Sequence, residues 1–401
     1  MNIHEYQAKK LLSSYGINVP RGMVAYTPLE AKRVANIVSV RGPWMLKSQI
    51  QSGSRNHGHF LEKDAGKKGG IRKIKSKKEI LENAKQMLGS TLVTSQTGAK
   101  GKLVSKIYIE HFVKVSKIFY FAVAIDRSLA KLTMLIAHSG DTPITEILKN
   151  DAKKILRIHL GLKDAVDSEQ IYSILNYLKL DEKCYKGFES FINNITRFFL
   201  EKDASMLEIN PLGLQNNNSL IALDAKMSFD DNAMYRQADV KILQDDYEED
   251  ERSLDAAKYG FGYGQFNEGS VGCIVNGDGL ALSVMDLLKS KGYSATCFLN
   301  VKGGVDKDKI ASGIKVIVTN PRVEGIFINI LGGFVRCDLI AEGIVSAASE
   351  VGLNVPLVVR FEGTNKDEAI ETLRLSGLPI TIANSEEDGA SRLISAMEEI
   401  T

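Results

Sequence analysis

The sequence predicts two regions in succession: an α+β region, then an α/β region built on a doubly wound parallel sheet. From Gly269 onward, apolar strands alternate strictly with amphipathic helices, whereas the earlier part groups helices, antiparallel-looking strands and further helices. Residues 228–255 between them are polar and strongly acidic, which is typical of a connection. We therefore expect one domain at residues 1–240 and a second at 241–401.

The second region shows its alternation most clearly. The expected strands lie at 271–275, 296–299, 325–330, 356–361 and 380–383, and the expected helices at 279–290, 306–317, 336–350, 366–375 and 386–399. Five such units indicate a flavodoxin-like sheet covered on both faces, with ligands at the carboxyl ends of its strands. Gly277 and Gly279 only weakly match a dinucleotide loop, because the third glycine is missing and Asn300 replaces the acidic ribose partner.

Composition excludes several classes of protein. With 401 residues, 44% hydrophobic and 25% charged, the chain has the profile of a globular protein of two or three domains. A net charge of +2 gives no bulk attraction to nucleic acid or membranes. Four widely separated cysteines indicate free thiols in a reducing compartment, and the first residues lack a secretory pattern. We expect a cytoplasmic protein.

A lone lysine stands in an apolar strand expected at residues 44–50. Lys47 needs a partner there, and either a bound phosphate or an edge-strand position with the ammonium reaching water would provide one. The following loop, residues 51–60, contains two glycines, Arg55, His57 and His59. Its composition suits a phosphate-covering flap and an ordinary surface loop equally, and the histidine pair has no third metal ligand in sight.

A β-hairpin is predicted for residues 206–226, because two alternating apolar segments flank the polar turn at 215–219. With the turn centred near Asn217, Asn210 lies opposite Asp224, and Glu208 lies opposite Lys226. All four side chains then share one face. Carboxylate and amide oxygens suit Mg²⁺, although a solvated face with a Glu208–Lys226 ion pair is an alternative interpretation.

Several motifs in a fixed order carry a family resemblance. They are NIHEYQAK at 2–9, LEINPL at 207–212, LDAK at 223–226, GCIVNG at 272–277, GGFVRCD at 332–338 and PLVVR at 356–360. Over almost its whole length, the chain resembles the β-subunit family of the ADP-forming succinate–CoA ligases. The resemblance implies an ATP-grasp domain followed by a flavodoxin-like CoA-ligase domain.

The same resemblance implies an activity, its substrates and a partner. ATP or ADP with Mg²⁺ would occupy the ATP-grasp cleft, and a phosphoryl group would pass through a histidine on an α subunit, in an assembly expected to be α2β2. Attack of CoA on an acyl phosphate would then give succinyl-CoA, as in the tricarboxylic acid cycle.

The residues that the resemblance assigns fall into four groups. They are Lys47, Gly53, Ser54, Arg55 and Glu110 for the nucleotide; Asn210 and Asp224 for Mg²⁺; Glu208 to orient the partner's histidine; and Asn276, Gly333, Phe334 and Val335 for the acid.

The chain departs from the family pattern at functional places. The loop at 53–60 lacks two glycines and a lysine of the family, and a family glutamate that contacts the nucleotide falls on Ile118. Residues 223–233 are also similar to malate–CoA ligase β subunits. The sequence thus leaves open succinate or malate as substrate, ATP or GTP as nucleotide, an αβ or α2β2 assembly, and a non-catalytic regulatory paralogue.

Overall fold

The computed structural model describes residues 1–140, 144–151, 154–160, 166–248, 250–266, 268–301, 303, 306–332 and 335–400, with only the backbone at 145, 150, 151 and 332. The chain divides into two compact units, Met1–Glu248 and Glu249–Thr401. Residues 241–248 belong to the first unit because they bond to it: Asp245 accepts hydrogen bonds from His4 Nε2 (2.7 Å) and from Lys106. Glu248 pairs with Lys102 at 2.8 Å.

The first unit contains both helices and strands, in chain order. Its helices are α1 (Glu5–Ser14), α2 (Pro28–Val38), α3 (Lys77–Met87), α4 (Ile144–Asp151), α5 (Ser168–Tyr177), α6 (Tyr185–Glu201) and α7 (Ala238–Lys241). Its strands are β1 (Gly22–Ala25), β2 (Trp44–Ser48), β3 (His59–Phe60), β4 (Ile71–Ile74), β5 (Thr91–Val93), β6 (Lys102–Leu103), β7 (Ile107–His111), β8 (Lys117–Asp126), β9 (Lys131–Ala137), β10 (Leu156–Leu160), β11 (Ala204–Leu214), β12 (Leu220–Ala222) and β13 (Lys226–Phe229).

Two larger sheets organise this unit. One has the strand order β1-β7-β2-β4, and the other has the order β10-β9-β8-β11-β12, with β13 also paired to β11. Strand β2 is internal and Lys47 is buried, so the alternative of an edge-strand lysine that reaches water is wrong. Against the second sheet, α1, α5 and α6 bury the large apolar core that includes Leu12, Ile174 and Phe198.

The predicted hairpin is present, with an interruption in its second arm. Gln215 N donates to Ser219 O at 2.9 Å to close the turn, and Leu212 pairs with Ala222. The predicted register is confirmed where Glu208 lies opposite Lys226. Between β12 and β13 the strand breaks, which places Leu223 and Asp224 on an irregular segment instead of a continuous strand.

The second unit is the predicted α/β region. Its helices are α8 (Glu251–Lys258), α9 (Asp278–Ser290), α10 (Lys307–Val318), α11 (Cys337–Val351), α12 (Lys366–Leu375) and α13 (Glu386–Glu398). Its strands are β14 (Gly262–Gln265), β15 (Val271–Val275), β16 (Ala295–Asn300), β17 (Gly325–Gly332), β18 (Leu357–Gly363) and β19 (Ile380–Ile382).

Parallel pairing joins the five predicted strands in the order β16-β15-β17-β18-β19. This is the flavodoxin-like order, and it reverses between β15 and β17. The sequence did not indicate β14, which pairs antiparallel with β16 at the edge of the sheet. Apolar clusters cover both faces, with Cys273 on the side of α9 and α13 and Ile274 on the side of α10 and α11.

All four cysteines are free and buried, as predicted. Within the part of the chain that the structure describes, no helix has the length and apolar character required to cross a bilayer.

Candidate functional site

A cleft of about 380 Å³ lies in the first unit. Its volume is in the range of small-molecule sites. All eight site residues that the resemblance assigned to this region line it: Lys47, Gly53, Ser54, Arg55, Glu110, Glu208, Asn210 and Asp224. Apolar side chains complete the walls, among them Met45, Ile71, Phe112 and Met227.

Lys47 enters the cleft from the internal strand β2 into a cage of acceptors. Its ammonium lies 2.8 Å from Glu5 Oε1 and 2.7 Å from Glu110 Oε1, and donates to the carbonyl of Leu223 at 2.6 Å. Burial by itself would lower the pKa of Lys47, but Glu110 and Glu5 together raise it above its ordinary value. Lys47 is therefore a permanent cation.

The loop at 51–58 is folded inward. Arg55 Nη2 lies 2.7 Å from Glu5 Oε2 and 2.9 Å from Asp224 Oδ2, while Nη1 donates to Ser48 O at 2.7 Å. Gly53 N donates to Gln96 Oε1 at 2.8 Å, and Ser54 adopts a left-handed φ of 57°. The loop is thus fixed to the cleft floor by Arg55, which corrects the interpretation as an ordinary surface loop.

The predicted metal corner combines Asn210 with Asp224. Asn210 and Asp224 lie between two paired stretches of the hairpin, since Glu208 pairs with Lys226 on one side and Leu212 with Ala222 on the other. The side chain of Asp224 is 22% exposed, and its Oδ1 accepts from its neighbour's amide, Ala225 N, at 2.8 Å. These oxygens suit Mg²⁺, but Arg55 bonds to both carboxylate oxygens of Asp224, so a metal ion would have to replace this contact.

Glu208 lies on β11 beside the metal corner. Burial raises the pKa of its carboxyl above the ordinary value, and Asp224 adds to this, although Lys226 opposes it. Lys226 lies opposite Glu208 and attracts its carboxylate, but the Lys226 ammonium donates its hydrogen bond to Gln96 Oε1 at 3.2 Å. Lys226 therefore acts on Glu208 through its charge, while its hydrogen bond goes to another residue.

Metal binding by clusters of protein side chains alone finds no support. In the ranges that the structure covers, no three His, Cys, Asp or Glu side chains are grouped to hold a metal ion. His57 and His59 are both exposed. An ion at Asn210 and Asp224 would therefore need further oxygen ligands, such as those of a nucleotide phosphate.

Of the remaining predicted site residues, Asn276 lies at the carboxyl end of β15. Asn276 Oδ1 accepts from Leu331 N at 2.8 Å, and Asn276 Nδ2 donates to Leu331 O at 2.5 Å. Val335 is buried in the apolar core. Gly333 and Phe334 lie outside the described residues. The amide of Asn276 thus joins two strand ends at the point where the strand order reverses.

Two residues that contact the assigned site residues were not predicted from the sequence: Glu5, which lines the cleft, and Lys9, which contacts Glu5 and Glu110. Both are buried, and Lys9 Nζ lies 2.8 Å from Glu5 Oε1 and 2.5 Å from Glu110 Oε2. Their signal is a pair spaced i, i+4 on α1, adjacent to the core residues Ala8 and Leu12 on the same side of the helix. The spacing was visible in the sequence, but the burial of these two charged side chains was not.

Comparisons with known proteins match both parts of the chain. Residues 2–214 match the family of ATP-grasp domains, and residues 274–394 match the CoA-ligase family. A succinate–CoA ligase [ADP-forming] subunit beta from Rhodospirillum rubrum is 42% identical over 400 residues, which is 100% of each chain. One from Paramagnetospirillum magneticum is 43% identical over 403 residues, again 100% of each chain.

A solved structure shows the same fold. ATP citrate lyase from Methanothrix soehngenii, in complex with citrate and coenzyme A, superimposes with a TM-score of 0.71. The match covers 99% of both chains at 17% sequence identity.

Proposed function

This chain belongs to the family of ADP-forming succinate–CoA ligase β subunits, and we propose that it performs the β-subunit role in that enzyme. The reaction is the reversible conversion of succinate, CoA and ATP into succinyl-CoA, ADP and phosphate. An α subunit supplies the histidine that carries the phosphoryl group. Nucleotide and CoA as substrates fit the ATP-grasp and CoA-ligase domains.

The convergence of Lys47, Arg55, Asn210 and Asp224 on one cleft is the observation that carries the proposal. Phosphoryl transfer depends mainly on positioning and on neutralising the charge of the transferred group. Lys47 and Arg55 supply fixed positive charge, and the low-dielectric cleft strengthens their attraction for phosphate. Glu110, which pairs with Lys47, would belong to the same nucleotide site.

Asn210 and Asp224 would hold Mg²⁺, which neutralises phosphate charge when bound. Arg55, released from Asp224, would then be available to the phosphates. In this proposal the binding of metal and nucleotide is coupled, because the same arginine contacts both sites.

Glu208 would orient the partner's phosphorylated histidine at the nucleotide. A half-buried carboxylate with a raised pKa is a strong hydrogen-bond acceptor for an imidazole N–H. The acid would bind in the second unit near Asn276, and the family resemblance adds Gly333, Phe334 and Val335 to its site.

Co-expression with a cognate α subunit tests the proposal. The purified complex is expected to form succinyl-CoA from succinate, CoA and Mg-ATP, with malate as the parallel substrate. Preference for malate would show that malate, and not succinate, is the acid substrate. Failure with every dicarboxylate, together with no Mg-ADP binding, would contradict an enzymatic role. The mass of the complex distinguishes αβ from α2β2, and fractionation of the source cells tests the predicted cytoplasmic location.

A further inference from the structure

Lys9 and Lys47 share one set of acceptors. Both ammonium groups lie 2.8 Å from Glu5 Oε1, and each takes one oxygen of Glu110, Oε2 for Lys9 and Oε1 for Lys47. Both donate to the carbonyl of Leu223, at 2.7 and 2.6 Å respectively. The two lysines come from different elements, α1 and β2, yet they are near equivalents in this cage.

The cage is buried and balanced in charge. Lys9 is 1% exposed and Glu110 is 2% exposed, so water does not stabilise either group. Lys9, Lys47 and Arg55 carry three positive charges against the carboxylates of Glu5, Glu110 and Asp224. Loss of one cation from such a cluster leaves an uncompensated buried carboxylate, which is strongly unfavourable.

Lys47 cannot fully neutralise a phosphate while its charge is already neutralised by Glu5 and Glu110. When its ammonium turns to a nucleotide phosphate, those carboxylates need another cation. Lys9 already contacts both carboxylates: it shares Glu5 Oε1 with Lys47 and binds the other oxygen of Glu110, Oε2. Its ammonium is therefore placed to keep them neutralised and in position.

We propose that Lys9 is a positioning residue of the nucleotide site. Lys9 holds Glu5 and Glu110 in place, so that the Lys47 ammonium can turn from these carboxylates to the phosphates. The inference rests on the proposed function, because it requires nucleotide in this cleft. It assigns to Lys9 no contact with the nucleotide itself.

Calorimetric titration with Mg-ADP tests the proposal on the wild type, Lys9→Met and Lys10→Met. Lys10 is the matched control, since it is the exposed neighbour on the same helix. Lys9→Met is expected to weaken Mg-ADP binding about tenfold or more, because Lys47 becomes the sole counter-ion of the buried Glu110 and shares Glu5 with Arg55 alone. The affinity of Lys9→Met for adenosine, which has no phosphate, is expected to fall about twofold or less. An equal loss of affinity for Mg-ADP and adenosine would indicate general damage to the protein and overturn the proposal.

A charge-balanced variant and a double-mutant cycle complete the test. Lys9→Met/Glu5→Gln removes one charge of each sign and leaves Glu110 as the one carboxylate that still depends on Lys47, so it is expected to fold and to bind Mg-ADP more tightly than Lys9→Met. In a Lys47→Met background, Lys9→Met is expected to add little, because it acts through Lys47. Additive losses, or a balanced variant as weak as Lys9→Met, would overturn the proposal.

The failure of this inference is distinguishable from the failure of the proposed function. If wild-type protein binds Mg-ADP and Lys9→Met binds it equally well, only the role of Lys9 is wrong. If the wild type itself does not bind Mg-ADP, the proposed function is wrong and the inference falls with it.

Discussion

In the first unit, the candidate site is built from charged side chains, whereas the strand ends of the second unit are built from amides and main-chain groups. Lys47 and Arg55 depend on buried carboxylates contributed by distant parts of the chain. Asn276 instead bonds the main chain of Leu331, and Asn300 bonds Gly277 N at 2.8 Å. A site held by buried ion pairs is disrupted when one charged partner is substituted. A site held by hydrogen bonds to the main chain keeps its geometry through most single substitutions.

Lys47→Met should have the largest effect, because in the proposed site it removes a cation that neutralises the phosphates. In the αβ complex we expect kcat/KM to fall by about 10²- to 10³-fold, the range seen when one preorganised donor is removed from a site of developing charge. Steady-state assays of succinyl-CoA formation measure this, with the exposed Lys32→Met as control. A fall of less than about threefold would contradict the role of Lys47.

Glu5→Gln tests whether the charged cage also stabilises the first unit. Glu5 holds Lys9, Lys47 and Arg55, and its replacement leaves surplus buried positive charge. We expect the free energy of unfolding to fall by about 3 kcal/mol. Urea unfolding is the measurement, and Glu82→Gln on an exposed face of α3 should change it by less than about 0.5 kcal/mol.

The same carboxylate predicts a pH dependence. Burial alone would raise the pKa of Glu5, but Lys47, Lys9 and Arg55 hold it well below its ordinary value of 4.5. The stability it contributes is therefore fully present above that value and is lost as the pH falls through the lower, native pKa. Below pH 4.5, the stability difference between the wild type and Glu5→Gln should narrow by about 1.4 kcal/mol per pH unit. A constant difference between pH 7 and pH 3 would contradict this assignment.

Asn276→Ala addresses the other side of the comparison and should have a smaller effect. The substitution removes both hydrogen bonds to Leu331, and we expect KM for the acid to rise about tenfold while Mg-ADP affinity stays unchanged. An acid titration in the assembled enzyme measures the change, with the exposed Asn354→Ala as control. Equal losses for acid and nucleotide would show that the two units do not divide the work as proposed.

The sequence predicted features that depend on local pattern. Periodicity revealed the parallel sheet, the turn at 215–219 set the register of Glu208, and one charge in an apolar strand singled out Lys47. Distant partners were beyond its reach, because Glu5 and Glu110 meet Lys47 only after three elements come together. The inward fold of Arg55 and the edge strand β14 depend on such tertiary contacts as well.

Asp245 determines where a fragment that contains only the first unit can end. Composition alone would suggest a cut at residue 240, but a fragment ending there would strip His4 and Lys106 of the carboxylate they share, and Lys102 of Glu248. His4 immediately precedes α1, the helix that carries Glu5 and Lys9. The last eight residues of the unit, 241–248, are thus bonded to the residue that precedes α1, at the opposite end of the unit's sequence.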